Sequence, residues 1–305
     1  MTDRYHLDKL EFYITNVCNL TCSNCNRYNN FHFRGWAAWD DYADNLKQWA
    51  QHVHVQHPVI LGGEPLLNRD IVKWITGLRS LWPNSYGVQV QSNGTRIDQV
   101  PGLYEAISDT NDSNWIGVSI HVPEDREELF ARIRRFLRGT IIETQDRDHP
   151  IGSAYQFVDS NRVMVHVWNN DIFGTSNINR TADGRYTVMR SDPIKAHDNC
   201  SFREWKNYHW INGRIYKCGP AALMPEFDRQ FGLDITDEER VVLHGYRGLG
   251  VEEWAERGRD FLDHINDPID QCRFCPETTS YAPITFDNTK KSWRIHTDPQ
   301  VVTQV

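Results

Sequence analysis

Seven cysteines constrain this chain more than any other feature: three are crowded into residues 18–25, four are spread between 200 and 275, and none lies between the groups. A fold that accepts them presents Cys18, Cys22 and Cys25 from one loop and carries Cys200, Cys218, Cys272 and Cys275 to a common place. The stretch Met1 to His6 lacks the apolar core of a signal peptide, and no apolar run approaches the roughly 20 residues of a membrane span. The expected location is therefore cytoplasmic. There thiols stay reduced, and clustered cysteines bind metal or do chemistry more often than they cross-link.

The 305 residues suit one large domain, or one with a smaller attachment, and a 39% hydrophobic, 24% charged composition reads as globular. In the first two-thirds, short apolar runs alternate with helical stripes. Leu10, Phe12 and Ile14 mark a strand beginning near residue 10; Pro58–Leu61, Tyr86–Gln91, Trp115–His121 and Val163–Trp168 mark four more. Between them, helices are expected near 40–53 (Ala43, Leu46, Ala50, Val53), at Ile71–Trp82, near 101–109, and over an Arg-rich stretch with Leu129 and Ile133 inward. Such alternation implies βαβ units and a parallel α/β sheet, with too few units to close an eight-fold barrel; a partial, open (β/α)6 TIM-like barrel is expected. Ligands in such folds sit at the carboxyl ends of strands, where the early cysteines, Gly62-Gly63-Glu64-Pro65, Ser92-Asn93-Gly94 and His121 all fall.

Residues 170–199, rich in Asn, Asp, Gly, Ser and Thr, read as loop or linker. Beyond them, Asn212-Gly213 signals a two-residue hairpin that returns Cys218 toward Cys200. Thr236 with Glu239 forms a capping box, and a helix is expected near 251–265. The expected partition is a barrel over 1–190, a small module with a β-hairpin and helices over 191–280, and a polar surface-covering tail over 281–305.

The net charge of −8 speaks against a nucleic-acid binder, which usually shows a basic stripe. The one basic run, Arg132, Arg134, Arg135 and Arg138, reads as a solvated helix face. The 11 Trp fit core packing and substrate stacking equally well.

Cys18-x3-Cys22-x2-Cys25 offers three soft thiolates, the ligands of zinc, copper(I) or iron–sulfur clusters. A structural zinc site is closed by four ligands, and His32 could supply the fourth here. A cubane cluster held by three cysteines instead leaves one iron open. The late four thiolates suit either a closed zinc site or one fully ligated cubane.

The stretch Cys18-Asn19-Leu20-Thr21-Cys22-Ser23-Asn24-Cys25 resembles the radical S-adenosylmethionine (SAM) superfamily. The resemblance implies a [4Fe–4S] cluster on Cys18, Cys22 and Cys25 whose open iron chelates SAM, and whose electron cleaves SAM to a 5′-deoxyadenosyl radical that takes hydrogen from substrate. In that family Gly62-Gly63-Glu64-Pro65 would hold the methionyl amino group, Ser92 and Asn93 would face ribose and carboxylate, and Ser119 is a candidate for the same task. Family members usually carry an aromatic residue where this chain has Asn24, so the Asn24 backbone is left to meet adenine, and stacking falls to Tyr28 or Phe31, each of which also reads as a loop anchor. Cys200, Cys218, Cys272 and Cys275 resemble the shortened auxiliary-cluster module called twitch, which implies a second [4Fe–4S] cluster as in aminocyclitol dehydrogenase-type members.

The implied reaction is a two-electron oxidation of a small polar substrate such as a sugar or aminocyclitol, with the auxiliary cluster accepting an electron and a flavodoxin or ferredoxin as electron donor. His121 is the candidate base, with His166 and Asp171 behind it; Arg203 and Glu204 read as surface residues. Alternative classes are modification of a ribosomal peptide, disfavoured because an early first strand leaves no room for a peptide-recognition domain, nucleic-acid base modification, and a metal-stapled binding module.

Overall fold

The structure is a computed structural model that describes residues 4–31, 35–108, 114–146 and 154–286. The expected alternation is present at the start: β1 (Tyr5–Tyr13), α1 (Trp39–His52), β2 (Val53–Leu61), α2 (Ile71–Leu81), β3 (Gln89–Ser92), α3 (Leu103–Ser108), β4 (Trp115–Ile120) and α4 (Arg126–Phe136). Then come β5 (Ile141–Asp146), β6 (Ala154–Asp159) and β7 (Met164–Asn169). The remainder holds β8 (Ile172–Gly174), β9 (Ile178–Arg180), β10 (Tyr186–Val188), α5 (Pro193–Asp198), α6 (Ser201–Glu204), β11 (His209–Ile211), β12 (Arg214–Tyr216), α7 (Gly219–Phe231), α8 (Asp237–Gly245), β13 (Leu249–Gly250), α9 (Arg259–Asp263) and β14 (Tyr281–Pro283).

Among the described residues, one ten-stranded sheet runs in the order β13-β12-β11-β1-β2-β3-β4-β7-β6-β5. Its centre is parallel: β11, β1, β2, β3, β4 and β7 pair in that sense, while both flanks are antiparallel. The sheet is open, as expected of a partial barrel. β1 begins at Tyr5 rather than near residue 10, because Tyr5 already pairs with Val53. β5 and β6 give no strong signal in the sequence: β5 is a largely exposed flank strand whose polar residues face water on both sides.

The period-2 pattern of β1 divides its side chains. Leu10 and Phe12 enter the main core beneath the helices, while Lys9 and Glu11 point to the opposite, concave side. α1 buries Leu46 and Trp49, with Ala43 and Ala50 only half-buried, and Val53 belongs to the next strand. Trp49, Trp74, Trp82 and Trp210 are fully buried in the core. Three of these indole N–H groups find backbone carbonyls: Trp49 on Gly213 at 3.1 Å, Trp74 on Ala37 at 3.1 Å and Trp82 on Val53 at 2.8 Å. These four tryptophans therefore serve packing, and among the described residues no Trp lines the main cavity.

Asn212 and Gly213 both have positive φ, the geometry of a tight hairpin turn between β11 and β12. The Thr236–Glu239 capping box starts α8 as expected. The helix expected near 251–265 is three consecutive pieces, a 3-10 turn, a π-helical turn over Trp254–Gly258 and then α9. A Cβ at Gly258 would stand 2.5 Å from the Trp254 indole, so the turn widens where that ring lies. Residues 170–199 are not plain linker. They contain β8 to β10 and α5, and Ile178 and Val188 point into a second core with Tyr28, Leu223, Phe227 and Phe274. The Arg-rich stretch of α4 and the residues just after it is laced to acids: Arg132 and Arg135 to Asp98, Arg134 to Glu143, and Arg138 to Glu105. No helix among the described residues is long and apolar enough to cross a membrane.

Candidate active site

The concave side of the parallel strands bounds a cavity of about 520 Å³. Cys18, Cys22 and Cys25 line it from the loop after β1, and Cys200, Cys218 and Cys275 line it from the C-terminal third. Cys272 is not on the wall, yet it lies in the electrostatic field of Cys200, Cys218 and Cys275.

The early loop is held by backbone bonds that only glycine permits. Gly63 N donates to Thr15 O and Glu64 N to Val17 O, both at 2.8 Å. A Cβ at Gly62 would stand 2.6 Å from Thr15 O, and one at Gly63 would stand 2.4 Å from Val17 O, so the pair of glycines lets the cysteine loop lie directly on the end of β2. Asn24 has φ +59°, a left-handed conformation that Asn tolerates better than a bulky aromatic residue does, and it lines the cavity. Tyr28 and Phe31 do not face the cavity. Tyr28 is fully buried against Phe227, and Phe31 packs on Phe227 and Tyr186, so both are loop anchors.

Glu64 is fully buried, behind the wall rather than on it. Its carboxylate accepts from Ser92 Oγ at 2.7 Å, Asn93 N at 2.7 Å and Leu66 N at 3.0 Å. Burial nevertheless dominates and pushes the Glu64 carboxyl up to about 7. The Asn93 side chain continues the network to Asn19 Oδ1 at 2.9 Å, and Asn19 reaches Thr95 Oγ1 at 2.7 Å. Thus Glu64, Ser92 and Asn93, drawn from two separate strand ends, are brought together and tied to the cysteine loop. Gly62, Gly63, Ser92, Asn93 and Ser119 all reach the cavity wall.

His121 follows β4 on the same wall. Its Nδ1 lies 2.8 Å from the Asn170 carbonyl, which can only accept, so Nδ1 carries the proton. Burial holds the imidazole below its usual value. A neutral ring therefore keeps Nε2 as an acceptor. His166 instead stacks on Trp168 and contacts Met164, away from the wall. Asp171 contributes its carbonyl to Ile284 N at 2.7 Å, and Arg203 pairs with Asp198 at 3.5 Å.

One feature gave no signal in the sequence. Residues 279–286 form a strap across the cavity: β14 pairs with β8, Ser23 N donates to Thr285 O at 2.8 Å, and Thr279 and Tyr281 join the lining. Of the polar tail expected over 281–305, the described residues 281–286 lie against β8 and the early cysteine loop.

Cys18, Cys22, Cys218 and Cys275 resist ionisation on their own. Burial, with the neighbouring thiols and Glu64 adding to it, lifts Cys18 well above the thiol range; burial also lifts Cys22 and Cys218 to about 12 and Cys275 well above the range. A bound metal reverses this, because a coordinated thiol is deprotonated outright. Among the described residues no three His, Cys, Asp or Glu side chains converge tightly enough for a single ion. His32, the candidate fourth zinc ligand, lies outside the described residues. Three thiols on the wall of a cavity large enough for a ligand fit a cluster with one open iron, and four electrostatically coupled late thiols fit a fully ligated one.

Residues 12–146, from within β1 to the end of β5, match the family described as "Radical SAM superfamily". The matched segment spans less than half of the chain and ends before the late cysteines. A solved structure titled "His6 tagged anSMEcpe with bound AdoMet" is 19% identical over 43% of this chain and 40% of that chain, with a TM-score of 0.34. No curated protein matches.

Proposed function

We propose that the chain is a radical SAM oxidoreductase acting on a small polar substrate, with one cluster on Cys18, Cys22 and Cys25 and an auxiliary cluster on Cys200, Cys218, Cys272 and Cys275. The observation that carries this reading is one cavity whose wall presents the early cysteines and three of the late ones, Cys200, Cys218 and Cys275, together with Ser92, Asn93, Ser119 and His121. When bound, the cluster and SAM supply a hydrogen-abstracting radical, and the auxiliary cluster supplies an acceptor for one electron.

The chain's own residues have separate tasks in this reading. Gly62 and Gly63 let backbone approach the ligand, and Glu64 fixes Ser92 and Asn93 so that they present a preformed polar edge. Asn24 turns the cysteine loop toward the cavity. His121 Nε2 takes the proton of a substrate hydroxyl or amine as the adjacent carbon loses hydrogen. Loss of one hydrogen atom, one proton and one electron leaves a carbonyl or imine, a two-electron oxidation. The strap from Thr279 to Phe286 keeps water from the open face. In this reading 1–190 is the barrel and 191–280 the auxiliary module, and a small reducing protein such as a flavodoxin or ferredoxin supplies electrons.

Anaerobic reconstitution tests this reading. Iron and acid-labile sulfide sufficient for two cubanes, and deoxyadenosine formed from SAM under reducing conditions, are expected. Iron for one cubane with stoichiometric zinc removes the auxiliary cluster, and no SAM cleavage removes the reading altogether.

A further inference from the structure

The two cysteine groups meet opposite polar side chains. At the early group, Asn29 Nδ2 donates to the Asn16 carbonyl at 2.7 Å and to Tyr13 Oη at 3.0 Å. A carbonyl oxygen only accepts, so the orientation of the amide is fixed, and its Oδ1 faces Cys25 Sγ at 3.8 Å. At the late group the amide is turned the other way. Tyr28 Oη donates to Asn177 Oδ1 at 2.9 Å, and Asn177 Nδ2 donates to Cys275 Sγ at 3.7 Å. Tyr28 and Asn177 are both buried, and Met189 N on Asn177 O at 3.1 Å fixes the backbone. Lys217 adds a buried ammonium in the field of Cys218, Cys272 and Cys200, with Nζ 3.3 Å from His197 Nε2 and 3.4 Å from Ile265 O. Backbone N–H groups do not make this difference, since Leu20 N also reaches Cys18 Sγ, at 3.4 Å.

Hydrogen bonds to cysteine sulfur and nearby positive charge both favour the more negative, reduced form of an iron–sulfur cluster. We propose that Asn177 and Lys217 stabilise added negative charge at the late cysteines while Asn29 withholds such help at Cys25, so that an electron released in the cavity resides at the late group. Tyr28 is a positioning residue: its hydroxyl holds the Asn177 amide with the N–H side toward sulfur. This assignment rests on the iron–sulfur occupancy proposed for Cys200, Cys218, Cys272 and Cys275.

The test is a redox titration of the reconstituted full chain followed by electron paramagnetic resonance, with added SAM used to mark the early cluster's signal. The wild-type late cluster is expected to have the higher potential. Asn177→Asp, which keeps the shape and puts a carboxylate where the N–H donor was, lowers the late potential and leaves the early one in place. Lys217→Met lowers it as well, and Tyr28→Phe lowers it by less. Iron and sulfide content are measured for each variant. A late potential below the early one in wild type, or one unmoved in both Asn177→Asp and Lys217→Met with the cluster retained, overturns the assignment while leaving the two-cluster reading standing. Should either variant lose its cluster, the other carries the titration. Zinc in the late site overturns both, and metal analysis tells this case from the others.

Discussion

Ser92 Oγ donates to the carboxylate of Glu64 at 2.7 Å, joining the residue after β2 to the end of β3 in a place that water does not reach. The Glu64 side chain lies behind the cavity wall and braces the loops whose Gly62, Gly63, Ser92 and Asn93 line it. Removing the donor leaves a buried carboxylate oxygen under-satisfied, which costs about 1–3 kcal/mol. Ser92→Ala is therefore expected to lower the urea midpoint of the metal-free chain and to weaken SAM binding. An unchanged midpoint would show that Glu64 finds another partner.

The same carboxyl gives a pH signature. Burial raises Glu64 from 4.5 to about 7, against the bonds from Asn93, Ser92 and Leu66. The folded chain thus holds this proton more tightly than the unfolded chain does. Its contribution to stability is complete below about pH 4.5 and is lost as pH rises through about 7. Across that window the metal-free wild type should lose stability on the order of 3 kcal/mol relative to Glu64→Gln. Urea unfolding at several pH values checks it, and parallel curves for the two proteins would contradict it.

Gly63→Ala tests the seating of the cysteine loop. The added methyl would meet Val17 O at 2.4 Å and Cys18 Cβ at 3.0 Å, and backbone gives way less readily than the end of a side chain. A cost of about 1–3 kcal/mol is expected for such overpacking. Iron at the early site should fall while the late site keeps its metal. Equal loss from both sites would point to general unfolding instead.

For His121→Gln the expectation is uncoupling. Product formation falls by roughly 10²- to 10⁴-fold, the range for loss of a general base, while deoxyadenosine still forms. In wild type, burial holds His121 below 6.5, so the base stays neutral at pH 7 and the acid limb of the rate profile lies below pH 6.5. A limb above that value, or a variant with full product yield, would remove His121 from the reaction.

Ending the chain after Pro276 removes the strap and its bonds to Ser23, Asp171 and Thr175. The truncated protein should form more deoxyadenosine per product and bleach faster in air. A ratio and bleaching rate equal to the full chain's would show that the strap excludes nothing.

The sequence made the parallel centre legible because buried strands such as Pro58–Leu61 and Trp115–Ile120 are short apolar runs bounded by turns, and α2 and α4 carry clear apolar stripes. β5 was illegible because its side chains stay in water, and β9 and β10 were hidden by the polar residues between Ile178 and Val188. The lining of the cavity by Gly62, Gly63, Ser92, Asn93, Ser119 and His121 was legible as a set, since strand ends on one side of a sheet converge. Their division of labour was not: nothing local distinguishes a Glu that faces a ligand from one that accepts from Ser92 and Asn93 behind the wall. The asparagine orientations at Cys25 and Cys275 depend on partners far along the chain, Tyr28 on Asn177 among them.

β11 lies alongside β1 in parallel, so β1 is flanked on that side by a strand made some two hundred residues later. During synthesis the outer edge of β1 stays bare until His209–Ile211 emerge, an unpaired template of the kind that recruits stray strands. The loop bearing Cys18, Cys22 and Cys25 grows from that same strand, so the cell must guard an unfinished sheet edge and three reduced thiols over one interval of translation.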